Sequence, residues 1–379
     1  MIVTGLIEGG VFCQDMGDVV LTGVYAPVNI NFQILDFQNN VLSTLSESYY
    51  PDNNNKVFIS GLSELADTYL QGESLQTLFN PTSGFGAKGM FVTIHADLYQ
   101  DEQLAGTFEQ IFYQCNSRTK IFPSSYPYFL SRFRNRTIYP DQPVSFSFFM
   151  DRNTVLFCKA IYDNGGTVRE TSTQVATASL PGYTAIMQYS LTEISSLLQV
   201  PADDIIEFQF QLCTLENETY TTIDVIKFVI DRNVTMERTM LLFKNTFGVP
   251  EIIALTGQNK RTSSLVGTYA WMQRKYRKVS TDLTELHTIC SGWIDKNTLE
   301  SIRDAIKSSE VFVIENSNLV EQVTITDIDL DYETPRTTPL AAYITYRVAD
   351  RVQETFAREV YDSGDEEGIF DHTFDDSFE

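Results

Sequence analysis

Val28-Asn-Ile-Asn-Phe-Gln-Ile34 alternates apolar and polar side chains without a break, the period of a strand with one face in a core and the other in water. Val144-Ser-Phe-Ser-Phe148 does the same directly after Pro143. Each reads as the opening of a unit, because the same succession of helix and strand patterns comes after both. In the first, Leu62, Leu65, Ala66, Tyr69 and Leu70 fall at helical spacing within SGLSELADTYL, which predicts a short amphipathic helix. In the second, Leu191, Ile194 and Leu198 share a face in YSLTEISSLLQV, and Ser190 with Glu193 forms a capping box. A pair of strand patterns closes each unit: MFVTIHADL and TFEQIFYQC, then EFQFQLCTL and IDVIKFVID.

This internal echo stops at Leu241 to Gly257, LLFKNTFGVPEIIALTG. The stretch reads as a domain entry: two apolar strands around a bend, with Gly248 free to take a positive φ and Pro250 unable to continue a helix. Gly248 and Pro250 are therefore the expected structural hinge. Further on, Leu299, Ile302 and Ile306 predict a helix from about Asn297 to Ser308, followed by strands at Glu310 to Ile314, Val323 to Tyr332 and Tyr343 to Ala349. In VTITDIDLDY the apolar parity slips at Asp327, which predicts a bulge. The expected fold class is mainly β: two successive β-sandwich-like domains, each with a short helix, over 1–117 and 118–236, a β-rich α+β domain over 237–350, and an acidic extension over 351–379.

Composition agrees, since 26 Phe and 19 Tyr among 379 residues favour strands. No apolar run is long enough to span a bilayer, so no membrane insertion is expected. The opening MIVTGLIEGGVFCQD has neither a basic flank nor a small-residue cleavage site, which reads as synthesis in a cytoplasm. The three sequons beginning at Asn135, Asn217 and Asn233 then read as chance. Five scattered cysteines without a CxxC pair read as reduced, buried thiols. The formal charge of -23 is unevenly placed: Glu359 to Glu379 holds nine acids and no Lys or Arg. Asn116 to Ile138 instead carries Arg118, Lys120, Arg132, Arg134 and Arg136, and Lys260 to Lys278 carries six bases, neither segment with an acid.

Chemical motifs give no site. Gly84-Phe-Gly-Ala-Lys-Gly89 matches GxGxxG but leads into a strand pattern, whereas a dinucleotide site needs a helix N-terminus there; it reads as a flexible loop. His95 falls on the polar parity of its strand, His287 has no second histidine nearby, and His372 lies in the acidic extension. Asp203 with Asp204, and Asp327 with Asp329, are pairs expected from abundance in a chain with 50 acidic residues. No catalytic, cofactor-binding or metal residue is expected, and the chain does not read as an enzyme. RTKIFPSSYPYFLSRFRNR interleaves bases and aromatics as single-strand nucleic-acid surfaces do, but two prolines between two β units favour an interdomain connector whose arginines meet acidic neighbours.

FKNTFGVPE, ESYYPDNNNKVFISGLSELADTYL and YITYRVADR resemble uncharacterised tail and baseplate structural proteins of Bacteroidetes tailed bacteriophages and prophages, over residues 20 to 350. The resemblance implies a virion protein, made in the bacterial host cytoplasm, that assembles as a ring of β-sandwich domains with itself and with other tail proteins. Hexameric order is the first expectation, and a dodecamer if the subunit sits near the head connector. DNA contact is expected only if the basic segments face a channel. The alternative is a carbohydrate- or receptor-binding β-sandwich module of the same particle. In the acidic extension Phe370, Phe374 and Phe378 recur every four residues and would line one side of a helix. That face is a candidate interface with an adjacent subunit, and Arg132, Arg134, Arg136, Arg274, Lys275, Arg277 and Lys278 are its candidate receivers.

Overall fold

The computed structural model describes residues 1–70, 74–79, 84–116, 128–150, 153–178, 183–216, 219–233, 238–272, 275–292, 294, 296–315, 318–330 and 341–348, and these are mainly β. The first unit contains β1 (Ile2–Thr4), β2 (Val11–Phe12), β3 (Val19–Thr22), β4 (Val28–Leu35), β5 (Val41–Tyr49), β6 (Lys56–Ile59) and helix α1 (Leu62–Leu70). After α1 come a single helical turn, α2 (Leu75–Leu78), and β7 (Gly84–Lys88), then the hairpin β8 (Phe91–Gln100) and β9 (Gln103–Tyr113). One sheet runs β1-β3-β6 and the other β2-β9-β8-β4-β5. Both line one core, because Val19, Leu21, Val57 and Ile59 cluster with Ile30, Phe32, Ile94 and Phe112.

The second unit repeats this. It contains β10 (Tyr128–Phe129), β11 (Asn135–Ile138), β12 (Val144–Phe149), β13 (Thr154–Asp163), β14 (Val168–Ala178), β15 (Thr184–Tyr189), α3 (Leu191–Leu198), β16 (Ile205–Glu216) and β17 (Thr219–Ile230). Strands β10-β12-β15 form one sheet and β11-β17-β16-β13-β14 the other. Even a parallel pairing recurs, β2 with β9 and β11 with β17. Lettered along the chain, A, B and E face G, F, C and C′, the strand order of an immunoglobulin-type sandwich.

The repeat is real but starts one strand earlier than the alternation suggests. Val28–Leu35 corresponds to Thr154–Asp163, and Val144–Phe149 to Val19–Thr22. The reading fails because Val144–Phe149 is buried on both faces. Its serines are not solvent-facing: the Ser145 hydroxyl donates to the Pro250 carbonyl at 3.3 Å. The capping box of α3 forms as expected, Ser190 Oγ accepting from the Glu193 N–H while the Glu193 carboxylate takes the Ser190 N–H.

Between α1 and β8, neither α2 nor β7 belongs to a first-unit sheet. Gly84–Lys88 is not a loop: it is a strand that extends the second unit's sheet, with Ala87 opposite Ala185. Leu75 and Phe79 pack against Met240, Leu242, Ile252, Phe312 and Ile314 of the third unit.

That third unit is an antiparallel seven-stranded sheet of β18 (Thr239–Lys244), β19 (Pro250–Leu255), β20 (Asn259–Met272), β21 (Lys275–Cys290), β22 (Val311–Glu315), β23 (Asn318–Leu330) and β24 (Ala342–Val348), with helix α4 (Lys296–Lys307) between β21 and β22. Its order is β19-β18-β22-β23-β24-β21-β20. Leu299, Ile302 and Ala305 of α4 cover one face of the sheet. The bulge falls where the parity slips, with the β23–β24 register shifting between Ile325 and Asp327. Leu241 to Gly257 is thus the hairpin β18–β19 and the run beyond it, with Lys244 opposite Pro250 and the tip between them.

Candidate functional site

The tip of the β18–β19 hairpin is buried where the three units meet. Phe247 and Val249 join Phe12, Tyr113 and Cys115 of the first unit and Tyr128, Leu130 and Phe149 of the second in one cluster. The rings of Phe12 and Phe247 lie 5.4 Å apart, and those of Tyr113 and Phe149 meet edge to face at 4.8 Å. The bend is held by Asn245, whose N–H donates to the Val249 carbonyl and whose carbonyl accepts the Gly248 N–H, both at 2.9 Å. Asn245 Oδ1 accepts from the Phe247 N–H at 2.9 Å, while Nδ2 donates to the Leu130 carbonyl and to Glu251 Oε2, each at 2.8 Å. Gly248 has φ +72. Gly248 and Pro250 accordingly sit inside a packed, hydrogen-bonded tip.

Glu251 is the centre of the polar seam. It is 2% exposed, and Oε1 pairs with Arg136 Nη2 at 2.9 Å. Ser301 of α4 donates to the same oxygen at 3.3 Å. Arg136 also donates to Ser131 Oγ at 2.6 Å and lies over the Phe228 ring. Burial pushes its guanidinium below the ordinary value, and Glu251 opposes that shift. The neighbouring arginines are engaged in the same way. Arg134 pairs with Asp224 at 2.8 Å, and Asp224 Oδ2 accepts the Phe129 N–H; Arg132 pairs with Asp304 of α4 at 3.4 Å. A further bridge ties the first unit to the third: Glu310 takes Lys244 Nζ on one oxygen and the Leu75 N–H on the other, both at 2.6 Å.

Arg132, Arg134 and Arg136 thus meet acidic neighbours within the chain, as the connector reading expects. Arg136 is buried in its pair, whereas the side chains of Arg132 and Arg134 stay 44% and 33% exposed. Lys275, Arg277 and Lys278 fall in β21, while Arg274, Phe370, Phe374 and Phe378 lie outside the described residues. Asn245, Glu251, Asp224, Asp304 and Glu310 were not expected. Glu251 could have been found, since one carboxylate in the apolar run GVPEIIAL demands a buried cation.

No protein-family model matches this chain, and no curated protein matches its sequence.

Two hollows accompany the seam and the first sandwich. A cavity of about 50 Å³ lies beside Arg136, Ser145 and Ser301, room for water and for nothing of substrate size. An open cleft of about 400 Å³ lies between β5 and α1, lined by Phe32, Leu45, Glu47, Tyr49, Leu62 and Glu64 among others. Tyr49 donates to Glu47 Oε2 at 2.5 Å, and burial together with Glu47 pushes its phenol above the ordinary value. His95 lies 3.2 Å from Asp97 at the surface of β8. Among the described residues no group of three or more His, Cys, Asp or Glu is arranged to hold a metal, and no helix is long and apolar enough to cross a membrane.

Proposed function

We propose that the chain is a structural, non-enzymatic subunit of a tailed-bacteriophage virion, a tail or baseplate component that assembles as a ring with copies of itself and with other tail proteins. The observation that carries this reading is the buried seam. Aromatic rings from all three units and the Arg136–Glu251 pair fix the β units against one another, and a subunit of fixed shape is what closed rotational symmetry requires. The test is sedimentation velocity over a wide concentration range, with negative-stain microscopy of the heavy species. Rings support the reading, and a chain that stays monomeric alone and with its partner tail proteins overturns it.

The second reading is a carbohydrate-binding module of the same particle, and its observation is the open cleft beside Tyr49. A glycan array followed by Tyr49→Ala separates the two. Binding that the substitution abolishes favours the module.

A further inference from the structure

Three connections of the first sandwich come together at one end. Val28 opens β4 opposite Tyr49, which closes β5, and opposite Gln100, which closes β8. Thr22 at the end of β3 pairs with Lys56 at the start of β6. Residues 23–27, 50–55 and 101–102 therefore share that end, and the Val24 N–H ties the first two stretches together by donating to the Asn55 carbonyl at 3.0 Å.

Tyr25 and Tyr50 stand on two of these loops. Their exposures of 79% and 75% are the largest of any large apolar side chain among the described residues. Their backbones are nonetheless fixed. Val24, beside Tyr25, is fully buried, and Pro51 confines Tyr50 to extended backbone. Asp52 closes the second loop, its Oδ1 accepting the N–H groups of Asn54 and Lys56, both at 2.8 Å. Two exposed rings on fixed backbone present a large contact area with little ordering entropy left to lose.

The third connection adds an independent observation. Asp101 and Glu102 form the two-residue turn of the β8–β9 hairpin, with φ +50 and +63, a turn that Asn-Gly fills most easily. Residues with a β-carbon are strained there, and glutamate lacks the short side chain that eases aspartate and asparagine into the left-handed region. Both side chains are exposed. Two carboxylates are thus kept at a cost to stability, as groups that meet a ligand are.

We infer that this loop end binds a neutral polysaccharide of pyranose units. Tyr25 and Tyr50 stack on the C–H faces of the sugar rings, and the Asp101 and Glu102 carboxylates accept from sugar hydroxyls. Charge selects the class: the three stretches hold Asp52, Asp101 and Glu102 and no Lys or Arg, so chains bearing phosphate, sulfate or carboxylate groups are repelled. The rings are surrounded by the exposed Asn53, Asn54 and Asn55, which suits a sugar and lacks the apolar centre of a stable protein contact. The inference rests on the carbohydrate-binding reading and places the sugar at the loops rather than in the cleft.

The experiment applies the full chain to an array of neutral and acidic oligosaccharides. Binding to neutral members is expected, with Tyr25→Ala and Tyr50→Ala each weakening it at least about tenfold. Tyr343→Ala, exposed on the third unit, is the control. Asp101→Asn with Glu102→Gly sets the ordinary pair at the turn, so the unfolding midpoint is expected to rise while sugar binding falls about tenfold or more. Undiminished binding in that double variant overturns the inference. A loss confined to Tyr49→Ala overturns the loop site and leaves the cleft as the sugar site. An array on which no sugar binds overturns both, and binding to acidic members alone overturns the neutral class. Loop variants that lose assembly and bind sugar as before also overturn it and assign the loops to a protein contact.

Discussion

A β-carbon placed on Gly248 would lie 2.0 Å from Gln114 Oε1, so the residue after the last strand of the first sandwich lays its amide on the hairpin tip of the third unit, and that amide must swing aside for any side chain at 248. The firmer requirement for glycine is the backbone, since φ +72 disfavours any residue with a β-carbon. Gly248→Ala is expected to cost about 1 to 2 kcal/mol in urea unfolding, most of it backbone strain. Adding Gln114→Ala should return the steric share and leave about 1 kcal/mol of backbone strain. If the double variant is no more stable than the single one, Gln114 is not the obstruction.

Arg136 and Glu251 are buried together, and that makes removing one of them worse than removing both. Arg136→Met strands a carboxylate that is 2% exposed and is expected to cost about 3 to 5 kcal/mol. Arg136→Met combined with Glu251→Leu should recover most of that loss, because an apolar pair has no charge to desolvate. The check is the coupling energy from the four unfolding curves. Additive losses would mean that the two side chains act independently.

Local chemistry was legible and long-range chemistry was not. The helices at Leu62–Leu70 and Leu191–Leu198, the capping box at Ser190 and the slip near Asp327 follow from spacing within a dozen residues, where propensity and pattern act. The phase of the repeat misleads because Ser145 and Ser147 look solvent-facing in sequence, while both are buried, Ser145 against Pro250 of the third unit. Gly84–Lys88 reads as a loop in sequence because its strand partner, Thr184–Gln188, is about a hundred residues away. That the arginines between Arg132 and Arg136 meet acidic neighbours is legible in a basic connector between two β units, but which acids they meet is not. Their partners Asp224, Glu251 and Asp304 lie far along the chain, and nothing in the sequence connects them.

The cysteine thiols give an independent reading of the sandwich cores. All five are free. Burial, with Asp67 beside it, pushes Cys13 above the ordinary value, and burial pushes Cys158 up to about 12. At pH 8 the thiolate fraction of Cys158 is then roughly a thousandfold below that of an ordinary exposed thiol. Ellman's reagent is expected to leave Cys13 and Cys158 unmodified in the native protein and to count five thiols in denaturant. Rapid native labelling of Cys158, mapped by peptide mass, would show that the second core opens.

Asp304 supplies a pH dependence of unusual sign. Its side chain on α4 is 3% exposed, and Oδ2 has no hydrogen-bond partner. Burial raises its carboxyl above the usual range, with Glu251 adding to the rise and Arg132 and Lys307 opposing it. Between the unfolded value of 3.8 and the raised folded value, the native state holds the proton more tightly than the unfolded chain does. The contribution of this group to stability therefore falls as pH rises through that window, and the penalty is complete above the folded value. Asp304→Asn keeps the shape and removes the titration. Relative to the wild type, the variant should gain stability steadily from about pH 4 upward and level off once the wild-type carboxyl is ionised. Urea midpoints of both proteins across that range are the measurement. A wild type that gains on the variant as pH rises would show instead that the Arg132 pair outweighs the burial of the charge.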